Sequence, residues 1–479
     1  MASDLKNKVV KGSFWNFVEN IAQIGVGTVF SIILARLLTP NEFGAVAMLT
    51  IFIALSNTLV NSGFGSALIR KPDRTEEDYS TAFYFNVVVG LVCYLLLFFA
   101  SPYIADFYNL PILSPVLKVF AISVIFNSLC VVQYAQLSIV MDFKTMAKIS
   151  VIANICTGVV AVILAYFGWG IWALVFQSLT GAFMRMGLLW YYAKWRPHTG
   201  FSIDSFKQLF GFGSKLLASG LLNTAYNNIY PIVIGKFYSP AQLGLYSRGQ
   251  LFASVASDNI TAIIERVTFP ALSQIQDEEE RLAIDYRRLI RLSAFVIFPI
   301  SLLLAAVASP LISILLTSKW SGCVIFLQIM CLSRMWLPVH ALNLNLLKVK
   351  GRSDLFLKLE IYKKILGILV LFSTVPFGLV AMCWGGVVSS ILCLIINTYY
   401  TRELIGVGFV RQMLDIFPVL LISAFAWLMA KIPLFIFSNE WIQLISGGLL
   451  GLLSFLLITY LVRMPELNEV KDIVRMYRR

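Results

Sequence analysis

The side chains of this sequence that could do chemistry are few, and they sit where they are expensive. Six cations (Lys118, Arg185, Lys215, Arg334, Lys363 and Lys364) and three acids (Glu19, Glu265 and Glu360) fall inside long apolar runs. A Lys or Arg at the centre of a membrane-spanning helix costs about 2.5–3.5 kcal/mol, so such residues are expected to face protein or water. Arg334 is central in its run and cannot snorkel, whereas Arg185 and Lys215 lie closer to one end and can. A planar guanidinium matches phosphate geometry, so a surplus of cations suits an anionic ligand. The competing reading pairs these charges with one another, for instance Lys363 or Lys364 with Glu360.

A second pattern is polar without charge. Asn16, Asn20, Gln23, Gly27 and Ser31 recur at steps of four, three, four and four, which is one face of a helix, and Glu19 flanks it. Two hundred residues later the same register holds Leu216, Gly220, Asn223, Asn227 and Pro231, with Ser219, Thr224 and Asn228 alongside. Such faces either glue helices together or line a hydrated cleft. The length and repetition of this one favour the cleft, with Asn20, Gln23, Asn223 and Asn227 as candidate lining residues. Pro231, Pro270, Pro299, Pro338 and Pro418 lie in or at the ends of spans, where a lost helix hydrogen bond permits bending.

The elements that must carry these residues are membrane helices. The chain has 479 residues, 59% hydrophobic and 13% charged, against about 25% charged in soluble domains. Fourteen spans are expected, at about 12–37, 41–63, 80–101, 112–140, 146–167, 169–193, 207–237, 247–271, 288–316, 322–346, 356–376, 378–401, 411–432 and 441–463. Many approach or exceed the roughly 20 residues that cross a bilayer. Their length and lack of alternation exclude a closed β-barrel. The first run is interrupted by Asn16, Glu19, Asn20 and Gln23 and reads as an uncleaved span rather than a signal peptide.

Placing the N-terminus inside puts 27 of the 38 Lys and Arg in inside segments and 5 in outside loops. That asymmetry favours cytoplasmic N- and C-termini and supports the span count, because one missed helix would scramble it. "ILARLLTPNEFGAV" (33–46) is echoed by "VIGKFYSPAQLGLY" (233–246), and "YFGWGIWAL" (166–174) by "VPFGLVAM" (375–382). The copies are six spans apart and face the same way, as expected of two lobes related by a pseudo-twofold axis along the membrane normal. The expected fold is therefore all-α and polytopic. It has a six-helix lobe over 1–200, a second over 201–405, and two extra helices with a basic tail over 406–479.

The net charge of +13 is explained by topology-setting loops, not by nucleic acid. The seven cysteines, Cys93, Cys130, Cys156, Cys323, Cys331, Cys383 and Cys393, lie in apolar runs without CxxC spacing and read as packing residues. No P-loop and no HExxH occur, His198 and His340 show no partner cluster, and no outside loop is long enough for a catalytic domain. No metal site, no cofactor and no enzyme are expected.

The segments "ILARLLTPNEFGAVAM", "GFGSALIRK", "RVTFPALSQIQDEEERL" and "DYRRLIRL" resemble the polysaccharide-export branch of the MOP superfamily, and more closely the colanic-acid-exporter type of Wzx flippase. The resemblance runs through nearly the whole chain and is clearest from Gly12 to about Arg291. It implies two six-helix lobes around a V-shaped cavity. It also implies alternating-access export of an undecaprenyl-pyrophosphate-linked oligosaccharide across a bacterial cytoplasmic membrane, for O-antigen, capsule or exopolysaccharide synthesis. Basic cavity residues would meet the pyrophosphate, with Arg334, Lys215 and Arg185 as the candidates. A polymerase and a chain-length regulator are the implied partners. Coupling to a proton, a sodium ion or the membrane potential stays open, with Glu19 as the candidate coupling acid. The rival readings are a drug or cation antiporter of the same superfamily, whose cavity should be apolar and acidic, and a membrane-bound polymerase or ligase.

Overall fold

In the computed structural model, which describes residues 25–61 and 63–478, every regular element is a helix. Asn16, Glu19, Asn20 and Gln23 lie outside the described residues. The chain packs as two compact units, Met1–Gly244 and Leu245–Arg479.

The first unit contains α1 (Gly25–Leu37), α2 (Pro40–Asn61), α3 (Phe64–Arg70), α4 (Glu76–Phe107), α5 (Leu113–Phe120), α6 (Ile122–Ser128), α7 (Val131–Ile139), α8 (Phe143–Tyr166), α9 (Ile171–Ala193), α10 (Ile203–Asn227) and α11 (Ile229–Phe237). Local chemistry sets several of the starts. Thr75 and Asp78 form a capping box before α4, Asp142 caps α8 and Ser202 caps α10. α5, α6 and α7 are one span with breaks at Ala121 and at Leu129–Cys130.

The repeated corner is a repeated helix start. Thr39 N–H donates to Glu42 Oε2 at 2.7 Å, and Glu42 N–H returns to Thr39 Oγ1 at 3.5 Å. Ser239 and Gln242 do the same at the head of α12 (Pro240–Ser273), at 3.3 and 3.2 Å. Both are capping boxes with proline at the first helical position. The glycine of each corner lets backbones meet. A Cβ on Gly44 would fall on the Pro240 carbonyl, and one on Gly244 on the Pro40 carbonyl. The two copies of the motif thus seat on each other reciprocally.

The second unit holds the remainder of α12, then α13 (Glu279–Ala306), α14 (Ala308–Leu316), α15 (Cys323–Arg334), α16 (Leu337–Val349), α17 (Ser353–Thr374), α18 (Leu379–Ile405), α19 (Phe409–Ile436), α20 (Glu440–Leu461) and α21 (Pro465–Arg478). α15 and α16 are one span broken at Met335–Trp336, matching the break before α7. Between helices in lipid, close packing replaces water exclusion as the driving force. α20 accordingly sets Gly447 and Gly451 against Ala426 and Ala430 of α19. α13 lies at the centre, with Tyr286, Ile290, Ile297 and Phe298 fully buried. Its N-terminal half carries three ion-paired arginines. Arg287 makes a bidentate pair with Asp415 at 2.7 and 2.6 Å, Arg291 meets Glu466 at 2.9 Å, and Arg288 meets Glu469 at 2.8 Å. The tail helix α21 is held through Glu466 and Glu469 and buries Leu467.

Ten helices or broken helices among the described residues are long and apolar enough to span a membrane. The described spans of the sequence reading that fall short are α10–α11, α12 and α17. These carry the asparagine stripe, Asp258 with Glu265, and Lys358, Glu360, Lys363 and Lys364 respectively. Polar residues facing protein or water lower the mean hydropathy of a helix without shortening it.

Candidate functional site

The polar face of α10 meets α2. Thr58 Oγ1 and Thr224 Oγ1 lie 3.0 Å apart. Gly220, one turn earlier on α10, leaves room for Thr58, whose methyl would stand 3.2 Å from an added Cβ. Beyond the end of α2, Gly63 turns with φ 74° and presses on Gly213 of α10, where a Cβ would come within 2.7 Å of the Gly213 carbonyl oxygen. A positive φ and a backbone contact both call for glycine here. α2 is therefore held at one end by the reciprocal corner and at the other by Gly63 and Gly213.

Beside this seam lies a cavity of about 900 Å³. α2 contributes Asn57, Thr58 and Asn61, and α10 contributes Leu216, Gly220, Asn223 and Thr224. The break between α6 and α7 brings Asn127, Cys130 and Tyr134, and α9 brings Arg185. Asn127 Nδ2 donates to Asn57 Oδ1 at 3.0 Å, tying α6 to α2. Arg185 Nε donates to the Gly181 carbonyl one turn back at 3.1 Å, which fixes the stem of the side chain. Among the described residues, Arg185 is the only charged one lining the cavity, and no Asp or Glu lines it. Chemically its polar lining is of amides and hydroxyls with one guanidinium, set among apolar side chains such as Ile69, Val131, Leu189, Leu216 and Leu217; the polar part suits a hydroxyl-rich ligand with an anionic group.

Of the candidate cargo contacts the sequence singles out, Arg185 and Asn223 line the cavity, together with Leu216, Gly220 and Thr224 of the same stripe. Lys215 and Asn227 are on the same helix, are exposed, and do not line it. Asn57, Asn61 and Asn127 escape the sequence reading because they belong to no long stripe: Asn57 and Asn61 form a single i,i+4 pair, and Asn127 is a lone amide in an apolar run.

Arg334 lies in the second unit, where its Nη1 donates to Asp258 Oδ1 at 2.6 Å. It is the last residue of α15, so the half-helix dipole also favours its charge. The sequence count of three acids passes over Asp258, which lies in the eighth expected span, and Asp415, in the thirteenth; both are ion-paired. The surplus of span cations is correspondingly smaller. Lys363 is bonded to Glu360, as the pairing alternative expects.

The bridge between Arg334 and Asp258 has a neutral counterpart in the first unit. Asn57 and Asp258 stand one register position apart at the 200-residue offset, and Asn127 and Arg334 both sit at the end of a half-helix before the break. Each unit thus links its broken helix to the helix that follows its capping box, through an amide pair in one and an ion pair in the other. Among the described residues no group of three or more His, Cys, Asp or Glu is gathered that could hold a metal ion, and all seven cysteines are free.

Residues 33–325 match the model of a family described as "Polysaccharide biosynthesis protein". The chain is 26% identical over 405 residues to the lipopolysaccharide biosynthesis protein WzxC of Escherichia coli (strain K12), covering 82% of this chain and 80% of that protein. It is 25% identical over 482 residues to the succinoglycan biosynthesis transport protein ExoT of Rhizobium meliloti (strain 1021), covering 98% and 96%. Its fold matches that of the lipid II flippase MurJ in an inward closed conformation, with a TM-score of 0.76 at 12% identity over 95% of this chain and 99% of that one.

Proposed function

Because the chain belongs to the family of polysaccharide biosynthesis proteins, we propose that it is a flippase for a lipid-linked oligosaccharide. Its cargo would be a sugar repeat on a polyprenyl pyrophosphate, carried across the bilayer by alternating access. The observation that carries this reading is the cavity in the first unit: among the described residues Arg185 is its only charge, beside asparagine and threonine side chains. Sugar hydroxyls both donate and accept and so find partners in Asn57, Asn61, Asn127 and Asn223. A pyrophosphate finds the guanidinium of Arg185. The guanidinium of Arg185 in the lining weighs against the drug or cation antiporter reading. The protein moves its cargo without altering its covalent structure.

The cycle rocks a lobe over 1–200 against one over 201–405, with 406–479 appended. The reciprocal contact of Gly44 with Pro240 and Gly244 with Pro40 serves as the outer closure and parts when the cavity opens outward. The protein resides in a bacterial cytoplasmic membrane with both termini inside, and works beside a polysaccharide polymerase and chain-length regulator. A proton or sodium gradient drives it. Glu19 stays a candidate coupling acid, and Lys215 and Arg334 stay candidate cargo contacts in other states of the cycle.

The test is translocation of a fluorescently tagged lipid-linked oligosaccharide in proteoliposomes. A hydrogen bond to a charged group contributes about 1.5–3 kcal/mol, so Arg185→Gln should lower translocation about ten- to a hundredfold, with Arg185→Lys in between. Unchanged translocation in Arg185→Gln, at equal incorporation, refutes the assignment of the cargo's anionic group to this cavity.

A further inference from the structure

His340 lies on α16 just past the break in the tenth expected span, and α18 holds both nitrogens of its ring. Asn397 Nδ2 stands 3.0 Å from Nδ1, and Ser390 Oγ stands 3.1 Å from Nε2. The Ser390 hydroxyl donates onward to the Ser333 carbonyl at 3.3 Å. These partners define a direction. An amide nitrogen only donates, so Nδ1 accepts; the Ser390 hydrogen is committed to Ser333, so Nε2 carries the ring proton and donates to Ser390. The ring is thus the neutral Nε2–H tautomer. Asn397 is fully buried, and its Oδ1 has no hydrogen-bond partner.

We infer that His340, Ser390 and Asn397 form a reversible proton-binding site within the membrane. His340 as a whole residue is half-buried. A proton from water adds to the Nδ1 lone pair and makes an imidazolium whose two N–H groups both donate. Nε2–H keeps Ser390. Nδ1–H can no longer face the Asn397 amide nitrogen; the amide turns over and presents Oδ1, the atom now without a partner. Asn397 therefore bonds the ring in either state, with nitrogen toward the neutral form and oxygen toward the charged one.

The surroundings make the site responsive to helix position. α13 meets α16 through apolar side chains, with Phe298 edge-on to Trp336 at 5.0 Å between ring centres. α18 brings Ser390, Cys393 and Asn397. α17 brings Lys363, whose charge acts on the ring and which is itself bonded to Glu360. An imidazolium repels that ammonium, so proton uptake works against the present seating of α17 beside α16. By linkage, a movement that takes Lys363 away must raise the proton affinity of His340. The proton site stands apart from the transport reading; its use in driving transport rests on that reading.

The chain has two histidines, so His198→Gln leaves His340 as the only imidazole. In full-length protein in nanodiscs, the ¹⁵N shifts of that ring should show a bare Nδ1 and a protonated Nε2 at neutral pH, and two protonated nitrogens on acidification. Asn397→Leu removes the oxygen that receives Nδ1–H and should lower the proton affinity at least tenfold; Lys363→Met should raise it. A ring that never protonates while circular dichroism shows the fold intact, or one whose titration neither variant moves, overturns the site. The measurement uses no cargo, so its failure is distinct from failure of the flippase reading. If the site drives transport, His340→Gln loses the pH dependence of translocation, and an unchanged pH profile refutes that use.

Discussion

Gly44→Ala tests the reciprocal corner. The new methyl would fall on the Pro240 carbonyl, which as backbone cannot swing aside like the end of a flexible side chain. Overpacking of this kind costs about 1–3 kcal/mol. The substitution also favours the helix itself by about 0.5–1 kcal/mol, but that gain is common to every arrangement in which α2 stays helical. Only the clash discriminates, and it is present only while the corner is closed. The closed population should therefore fall about 5- to 150-fold relative to the open one. Gly187→Ala is the control, since nothing lies within 4 Å of its added methyl.

The assay is a pulsed-dipolar distance measurement between spin labels at Asn41 and Ala241, matching positions of the two copies that lie outside the capping-box pairs. The native protein should give one short distance. Gly44→Ala should move most of the distribution to a longer one, and Gly187→Ala should leave it in place. Gly44→Ala with Gly244→Ala should add little further, because the two glycines share one contact and one opening relieves both. An unchanged distribution in Gly44→Ala would show that the corner has slack and that the twin motifs do not act as a closure.

Three other substitutions probe the charge and polar bridges. Arg334→Gln should lower translocation by stranding the Asp258 carboxylate, and Arg334→Gln with Asp258→Asn should recover most of the loss; a double variant as poor as the single one would place the Arg334 guanidinium on the cargo. Gln412 is fully buried and exchanges hydrogen bonds with Asn343 and Thr401, so Gln412→Leu should destabilise the second unit by about 1–3 kcal/mol, read as a lower unfolding midpoint in detergent with the cavity intact. Glu466→Gln breaks the pair with Arg291 at the foot of α13 and should expose α21 to protease before any loss of folded protein; unchanged cleavage would refute its role as a strap.

Much of the architecture can be read directly from residue patterns. The span order follows from apolar length, and the repeated corner follows from Thr39, Pro40, Glu42 and Gly44 against Ser239, Pro240, Gln242 and Gly244. What the pattern alone leaves hidden is why it repeats: the two glycines touch the opposite prolines' backbones, a contact between positions 200 apart that no local propensity encodes. The site is legible only in part, for the same reason. Asn223 belongs to a long stripe and Arg185 is a charge in lipid, so each stands out. Asn57 and Asn127 become a site only because the break at Leu129–Cys130 brings α6 to α2. Arg334 draws attention for its charge, yet its partner Asp258 lies 76 residues earlier and meets it through folding.

The paired bridges also explain why the cavity's charge is Arg185 rather than Arg334. Duplication would give each half a link between its broken helix and the helix after its capping box. In the second unit that link is charged, so Asp258 holds Arg334 and the pair carries no net charge. In the first unit the link is Asn57 to Asn127, which satisfies the same geometry with neutral amides. Among the described lining residues no carboxylate then competes with an anionic ligand for Arg185. Introducing one tests the logic. Asn57→Asp keeps the acceptor for Asn127 Nδ2 but adds a negative charge to the chamber. It should weaken binding of the lipid-linked oligosaccharide at least tenfold, whereas Asn57→Ser should have a smaller effect. Equal losses in the two variants would mean that the amide bridge, and not the charge of the chamber, sets affinity.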